Sequence, residues 1–162
     1  MKLNFSLLLF VLFLTTSCEL QKELPMEVSE TLVSIHRIEK YGVDTKLTVP
    51  LVIEGQTVYI SRIPLLSNKD MMRASTFQYR EDAYGLDVRL TRAGANRWSQ
   101  SQVEYRGLQA VLAVGGKFKC FIKIGRGGSG LEFKIAAPLT KEEAEEMAGN
   151  IGRNYIAIKE LD

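Results

Sequence analysis

The pair Gly115-Gly116 is the feature that most restricts how this chain folds, because it separates two runs of alternating apolar residues. Leu108 to Val114 precedes the pair, and Lys117 to Ile124 follows it. Turns with positive φ match the twist of paired strands, and glycine adopts positive φ readily. The sequence therefore predicts a β-hairpin over residues 108–124. The buried face of its second strand is predicted to carry Phe118, Cys120, Ile122 and Ile124.

Alternation of period two and turn residues predict further strands on both sides of this hairpin. Glu54-Gly55 is a turn dipeptide that joins two of them, and residues 82–85 are predicted to form another turn. Ser67 is predicted to cap a short helix over residues 68–74. The other predicted strands span residues 32–38, 46–53, 56–61, 75–80, 86–90 and 131–135, with a last short strand at 156–158.

Two longer helices are predicted from capping residues followed by apolar side chains. Thr91 caps a helix that runs to about Gln102, and Thr140 with Glu143 has the spacing of a capping box. The first helix is predicted to direct Ala95, Trp98 and Val103 inward. The second carries one apolar stripe: Ala144, Met147, Ala148, Ile151 and Tyr155. The order strand, helix, hairpin, strand, helix predicts an α+β fold in which two main helices pack on one face of an antiparallel sheet. The short, glycine-rich links favour antiparallel neighbours.

The N-terminus has the layout of an export signal. Met1 to Asn4 is positively charged, and Phe5 to Leu14 is apolar apart from Ser6. A helix that spans a bilayer needs about 20 apolar residues. The shorter run here predicts a signal peptide over residues 1–17.

Thr15-Thr16-Ser17-Cys18 resembles the lipobox of bacterial lipoproteins, in which the cysteine sulfur receives a diacylglyceryl group. Thr15 stands where a lipobox usually has leucine, so ordinary secretory cleavage is the alternative. Acylated Cys18 would anchor the protein to a membrane, since each buried CH₂ contributes about 0.8 kcal/mol. We expect a lipid-anchored tether over residues 18–30 and one domain over residues 31–162, on the periplasmic side of an inner or outer membrane. Without the lipid, the domain would be soluble in the periplasm.

Three segments of the second half resemble the head subdomain of the first periplasmic domain in the SecD and SecDF family. They are Gly85 to Trp98, with Leu90-Thr91-Arg92-Ala93-Gly94-Ala95 at a strand–helix junction; Gly107 to Lys117, an apolar strand and tight turn; and Leu131 to Ile135 followed by Leu139-Thr140-Lys141-Glu142-Glu143-Ala144. The resemblance covers about residues 84–155. It implies the fold of that head and a way of contacting exported polypeptides or a protein partner.

The strand after the Gly-Gly turn carries the candidate partner-binding residues. Lys117, Lys119 and Lys123 are predicted to share its outward face with Phe121, near Lys134 if that strand pairs alongside. Such a stripe is either a solvated face or a surface for acidic partners and anionic lipid headgroups. An exposed aromatic side chain among lysines favours a binding surface.

Gly125 to Gly130 matches the letters of a nucleotide-binding loop, G-x-G-x-x-G, and includes Arg126. A strand rather than a helix is predicted after it, so we expect no dinucleotide site. An anion site formed by this loop and Arg126 is the alternative. Cys120 is predicted to be a buried, inert thiol, and His36 a surface or packing residue.

The sequence offers no metal cluster and no catalytic group, and we expect no cofactor. Its formal net charge is only +2, whereas nucleic-acid binding requires an excess of Lys and Arg. The expected function is therefore that of a membrane-tethered, non-enzymatic module that binds a protein or peptide in the cell envelope, with protein export as the process that the resemblance implies. A small-ligand binder or enzyme that uses the glycine loop, and a structural envelope lipoprotein, are the alternatives.

Overall fold

The computed structural model describes residues 26–39, 46–125 and 130–161. The predicted signal peptide, Cys18 and Arg126 lie outside the described residues. The strands are β1 (Val33–Glu39), β2 (Thr48–Ile53), β3 (Gln56–Ser61), β4 (Leu66–Ser67), β5 (Met71–Arg80), β6 (Ala83–Leu90), β7 (Gln109–Val114), β8 (Lys117–Lys123) and β9 (Glu132–Leu139). The helices are α1 (Met26–Thr31), α2 (Arg92–Glu104) and α3 (Lys141–Lys159), and a 3-10 turn covers Asn68–Asp70.

The described strands pair in antiparallel fashion and form two sheets. One sheet has the order β2-β3-β1-β7-β8, with the short β4 also paired to β1, and the other has the order β5-β6-β9. The expected α+β class with an antiparallel sheet is confirmed. None of the described helices is long and apolar enough to span a membrane.

One hydrophobic core joins the two sheets and the longer helices. Ile35 and Leu112 contribute to it from the five-strand path, and Leu86 and Phe133 from the three-stranded sheet. Trp98 of α2 packs on Phe133, with their ring centroids 4.6 Å apart. Helix α3 adds Ala144, Met147 and Ile151. The predicted inward positions are confirmed for the buried Ala95, Trp98, Ala144, Met147 and Ile151 and for Ala148, which packs against the core. Tyr155 is half-buried and is not part of the core, and Val103 is 84% exposed at the end of α2.

Two buried asparagines join α3 to other parts of the fold. Asn68 accepts a hydrogen bond from the Val33 backbone N–H at 3.1 Å and donates one to the Ile151 carbonyl at 3.0 Å. Asn154 donates to the Thr31 carbonyl at 3.0 Å. Helix α1, which lies at the end of the segment predicted as a tether, is thereby bonded to α3.

Both predicted two-residue turns are confirmed by their backbone angles. Glu54 and Gly55 have φ of 51° and 78°, and Gly115 and Gly116 have φ of 55° and 74°. Residues at both central positions with positive φ form the turn type that suits a tight hairpin.

The predicted helix over residues 68–74 is shorter than expected, because only its first three residues form a 3-10 turn. Asp70 ends this turn: its carboxylate accepts from the Ser67 N–H at 2.9 Å and pairs with Arg97 at 2.5 Å. Met71 is fully buried and pairs with Leu90. Pairing of residues 71–74 with β6 therefore outweighs their local helix propensity.

Other boundaries also differ from prediction, and β9 runs on to Leu139 instead of ending at residue 135. The turn predicted at residues 82–85 lies at Glu81-Asp82, and Ala83 already begins β6. Gly85 is buried within that strand, where a side chain would collide with the Ile135 carbonyl and the Phe77 ring. Residues 156–158 continue α3 instead of forming a strand, because the helical ladder runs on to Lys159.

Candidate functional site

Strand β8 carries the predicted partner-binding residues, and a β-bulge at Lys119 interrupts its alternation. Leu112 of β7 pairs with Cys120. Its neighbour Ala113 pairs with Phe118, which leaves Lys119 as an extra residue. Directly paired side chains lie on the same face of a sheet. The prediction that Phe118 shares the core face with Cys120 is therefore wrong, and Phe118 lies on the face of Ala113.

The bulge brings two aromatic side chains together on the face opposite the core. Phe121 pairs with Val111 on that face, and its ring centroid lies 5.1 Å from that of Phe118, with the ring planes at 62°. Both rings are partly exposed, whereas Val111 and Ala113 beside them are buried. We call this side of the five-strand path the outer face. It presents a T-shaped aromatic pair beside the buried Val111 and Ala113.

The three lysines of β8 do not share one face, contrary to expectation. Lys123, two residues after Phe121, lies on the outer face and is exposed. Lys117 pairs with Val114, whose side belongs to the core face. Lys119 occupies the bulge. The structure therefore joins Phe121 with Lys123 and Phe118, and it separates them from Lys117.

Lys134 belongs to a different surface, because β9 pairs with β6 and not with β8. Its ammonium group lies 3.9 Å from the Asp87 carboxylate and 5.1 Å from the centre of the Phe77 ring. Lys134 therefore belongs to the surface of the three-stranded sheet and not to the surface formed by β8.

Lys119 is engaged with the start of α3. Its ammonium group lies 2.5 Å from Glu143, whose other carboxylate oxygen accepts from the Thr140 N–H at 3.0 Å. The Thr140 hydroxyl accepts from the Glu143 N–H at 3.2 Å, which confirms the predicted capping box. The hydrogen bond from Lys119, followed by that from the Thr140 backbone, lowers the pKa of Glu143 below its ordinary value. This ion pair joins the bulge to the helix cap.

A groove of about 310 Å³ lies between the hairpin and α3. The apolar residues Val114, Phe118 and Met147 are among those that line it. Lysines of β8 and acidic residues of α3 also line it: Lys117, Lys119, Glu143 and Glu146. A groove of this size and composition can accept an apolar side chain while its charged groups contact polar atoms on either side.

Cys120 and His36, the other reactive side chains noted in the sequence, are held by packing or by hydrogen bonds within the fold. Cys120 is buried as predicted, and burial raises the pKa of its thiol to about 11, so the thiol is protonated at neutral pH. His36 lies 2.8 Å from both the Ser61 carbonyl and the Ser34 hydroxyl through its two ring nitrogens. Among the residues that the structure describes, no group of three or more His, Cys, Asp or Glu side chains could hold a metal ion.

The glycine-rich loop is described only at its ends. The Gly125 carbonyl accepts from the Gln102 side chain at 3.1 Å, and Gly130 has a φ of 98°. As predicted, a strand follows the loop, beginning at Glu132, so no helix N-terminus stands behind it. The candidate residue Arg126 is not among the described residues.

Sequence reasoning missed Phe118, Glu143 and Met147 as parts of one site. Strict alternation assigned Phe118 to the core, and no residue in the strand signals the bulge. Glu143 was recognised as a cap and Met147 as a core residue, but their position beside β8 depends on tertiary packing.

Comparison with solved structures finds chains of similar fold. The structure of SecDF in a super-membrane-facing form matches with a TM-score of 0.56 and 13% identity, over 76% of this chain and 19% of that one. The structure of the membrane component SecDF that enhances protein export matches with a TM-score of 0.54 and 15% identity, over 76% of this chain and 62% of that one. The SecDF-like fold implied by the resemblance is confirmed.

The match concerns the fold and only part of each SecDF chain. This chain spans less than two thirds of the length of either one. No protein-family model and no curated protein matches the sequence.

Proposed function

We propose that this protein is a non-enzymatic binding module of the cell envelope, tethered to a membrane through acylated Cys18, that binds a protein or peptide during export. The observation that carries the proposal is the aromatic pair of Phe118 and Phe121 on a SecDF-like fold, next to the exposed Lys123. One of the matching structures is that of a component that enhances protein export.

The outer face at β8 has the chemistry of a protein-binding surface. Aromatic side chains dominate the energetics of protein interfaces, because they bury a large area with few rotatable bonds. Phe118 and Phe121 already contact each other, and a phenylalanine side chain has only two rotatable bonds, so little side-chain entropy is lost when a partner covers them. Lys123 adds a positive charge at the rim, which favours partners with acidic groups beside apolar ones.

Photo-crosslinking in cells tests the binding role. The full chain would carry a photoreactive phenylalanine analogue in place of Phe121, Lys123 or Lys119, one position at a time. We expect the same specific protein adducts from positions 121 and 123, and weaker ones from position 119, which lies in the bulge beside the start of α3 and not next to Phe121 on the outer face. Val103 of α2, which is 84% exposed, is the matched control position.

Absence of a specific adduct from the β8 positions would refute the binding role, as would adducts of equal strength from Val103. A deletion strain that lost envelope integrity, with no crosslinked partner, would instead favour a structural lipoprotein.

A mass measurement of the mature N-terminus tests the tether. We expect Cys18 to carry acyl chains and a Cys18→Ser variant to leave the membrane fraction. An unmodified Cys18 at the mature N-terminus would mean that the module is soluble in the periplasm.

A further inference from the structure

The hairpin formed by β2 and β3 exposes apolar side chains on strands that lack charged residues. Val52 is 72% exposed and Val49 38% exposed. Residues 48–53 and 56–61 contain no Asp, Glu, Lys or Arg, and the nearest charges, on Lys46, Glu54 and Arg62, stand at the strand ends. Natural proteins usually protect an edge strand with charges, proline or a bulge. Strand β2 has no charged residue, and Pro50 removes one donor without closing the rest of the edge.

The outer side of β2 has no strand partner among the described residues, since β2 is the first strand in the order β2-β3-β1-β7-β8. The Arg62 N–H donates to the Leu47 carbonyl at 2.8 Å, which shows that the backbone of Leu47 is directed toward β3. Alternate residues of an antiparallel strand direct their backbone groups to opposite sides. The backbone groups of Pro50 and Val52 are therefore directed outward.

Pro50 fits this assignment because it has no N–H to donate and is tolerated in an edge strand when its nitrogen is directed away from the neighbour. The edge consequently offers the Val52 N–H and carbonyl and the Pro50 carbonyl. An added strand can exchange two hydrogen bonds with Val52 and donate a third to Pro50.

We propose that β2 accepts a short, uncharged, extended segment of a polypeptide as an added antiparallel strand. This inference rests on the proposed binding function and names the chemistry of the partner. Backbone hydrogen bonds do not depend on the side chains of the added segment, so one edge can accept segments of many different sequences. A charged segment would be disfavoured, because its charges would lose water beside Val49, Leu51 and Val52 without finding a counter-ion.

The size of the edge favours a peptide over a second copy of the chain. Thr48 is buried, so the five residues 49–53 give an edge about 17 Å long and about 10 Å thick, or less than about 200 Å² per partner. A stable protein–protein interface buries about 800 Å² per partner. In a dimer of two copies related by a two-fold axis, both β2 strands would lack the Pro50 N–H, so two hydrogen bonds would be missing. Short-lived addition of a strand from another protein requires less buried area, and only one hydrogen bond is then missing.

The test uses the full chain and three fluorescent peptides in an anisotropy titration. The parent peptide has six alternating valine and threonine residues, the second peptide carries N-methyl groups on three successive residues, and the third replaces two valines by lysine. N-methylation keeps the side chains but removes donors on both edges of the peptide. We expect the parent to bind and both modified peptides to bind about tenfold more weakly. The N-methylated peptide loses two or more hydrogen bonds, and the lysine peptide brings charges that find no counter-ion at the edge.

Two substitutions at one position supply the matched control on the protein. Val52→Thr keeps the size and the N–H, so we expect the parent peptide to bind it as it binds the wild type. Val52→Pro removes the N–H and should weaken binding about tenfold. If Val52→Pro does not fold, the N-methylated peptide alone decides.

Equal binding of the parent and N-methylated peptides would overturn the inference, and so would no binding of the parent. A concentration-dependent dimer that Val52→Pro abolishes would also overturn it, because the occupant would then be a second copy. If the Phe121 crosslinks persist while the parent peptide fails to bind, the proposed function stands and only the strand-addition site falls.

Discussion

The two hairpins of the five-strand path have the same kind of turn and opposite surroundings. Glu54-Gly55 and Gly115-Gly116 both place two residues at positive φ. In the β7–β8 hairpin, Leu112 is fully buried and Lys119 reaches α3. In the β2–β3 hairpin, Val52 is 72% exposed. Turn chemistry therefore specifies a hairpin, whereas contacts from distant parts of the chain decide whether the hairpin belongs to the core or remains available for a partner.

The largest difference between the hairpins should appear when an apolar side chain is truncated. Leu112→Ala removes a fully buried side chain from the core and should lower the free energy of unfolding by about 2–5 kcal/mol. Leu51→Ala, on a half-buried position of β2, should lower it by less than about 1 kcal/mol. Urea unfolding of both variants measures the two values. Equal losses would mean that the β2–β3 hairpin is part of the cooperative core.

The turn glycines provide a smaller and more local contrast. A side chain at Gly115 would collide with the Glu30 carbonyl, whereas one at Gly116 or Gly55 would meet no atom within 4 Å. Each glycine has positive φ, so alanine costs about 1–2 kcal/mol at every one of these positions. Gly115→Ala should cost at least about 1 kcal/mol more than the other two substitutions, because α1 would have to move.

Thermal or urea unfolding of the three alanine variants measures this difference. Similar losses at Gly115 and Gly116 would show that α1 moves away without cost. The contact between α1 and the β7–β8 hairpin would then add nothing to stability.

Local signals in the sequence predicted much of the secondary structure, and tertiary contacts decided the rest. Both turns and the Thr140 cap were predicted because their residue types act within four positions. The bulge at Lys119 was not predicted, since its ion pair with Glu143 bridges 24 positions in the sequence. Residues 71–74 were assigned to a helix because the pairing of Met71 with Leu90 cannot be seen locally. The outer face is a product of such distant pairings, so the sequence predicted Phe121 and Lys123 as site residues but not Phe118.

The smallest effect concerns the ion pair that fastens the β7–β8 hairpin to α3, for which the β2–β3 hairpin has no counterpart within the described residues. The pKa of Glu143 is lowered on folding from an ordinary value of 4.5, chiefly by the hydrogen bond from Lys119. A carboxyl group with a lowered pKa contributes stability above its unfolded pKa and loses it as the pH falls through the folded pKa. Stability from Glu143 should therefore be present at pH 7 and decline below about pH 4.5.

Glu143→Gln should lower the free energy of unfolding at pH 7 by no more than about 1 kcal/mol, because both partners are partly exposed. The difference from the wild type should shrink between pH 7 and pH 3, because the stability that a carboxyl group with a lowered pKa contributes is lost as the pH falls below its unfolded pKa. Glu142→Gln, in the same helical turn, is the control for loss of negative charge near the helix N-terminus. Urea titrations at the two pH values measure the effect. If the two variants behave alike, the Lys119 pair contributes nothing and packing alone fixes the β7–β8 hairpin. The contrast with the β2–β3 hairpin would then rest on burial and not on charge.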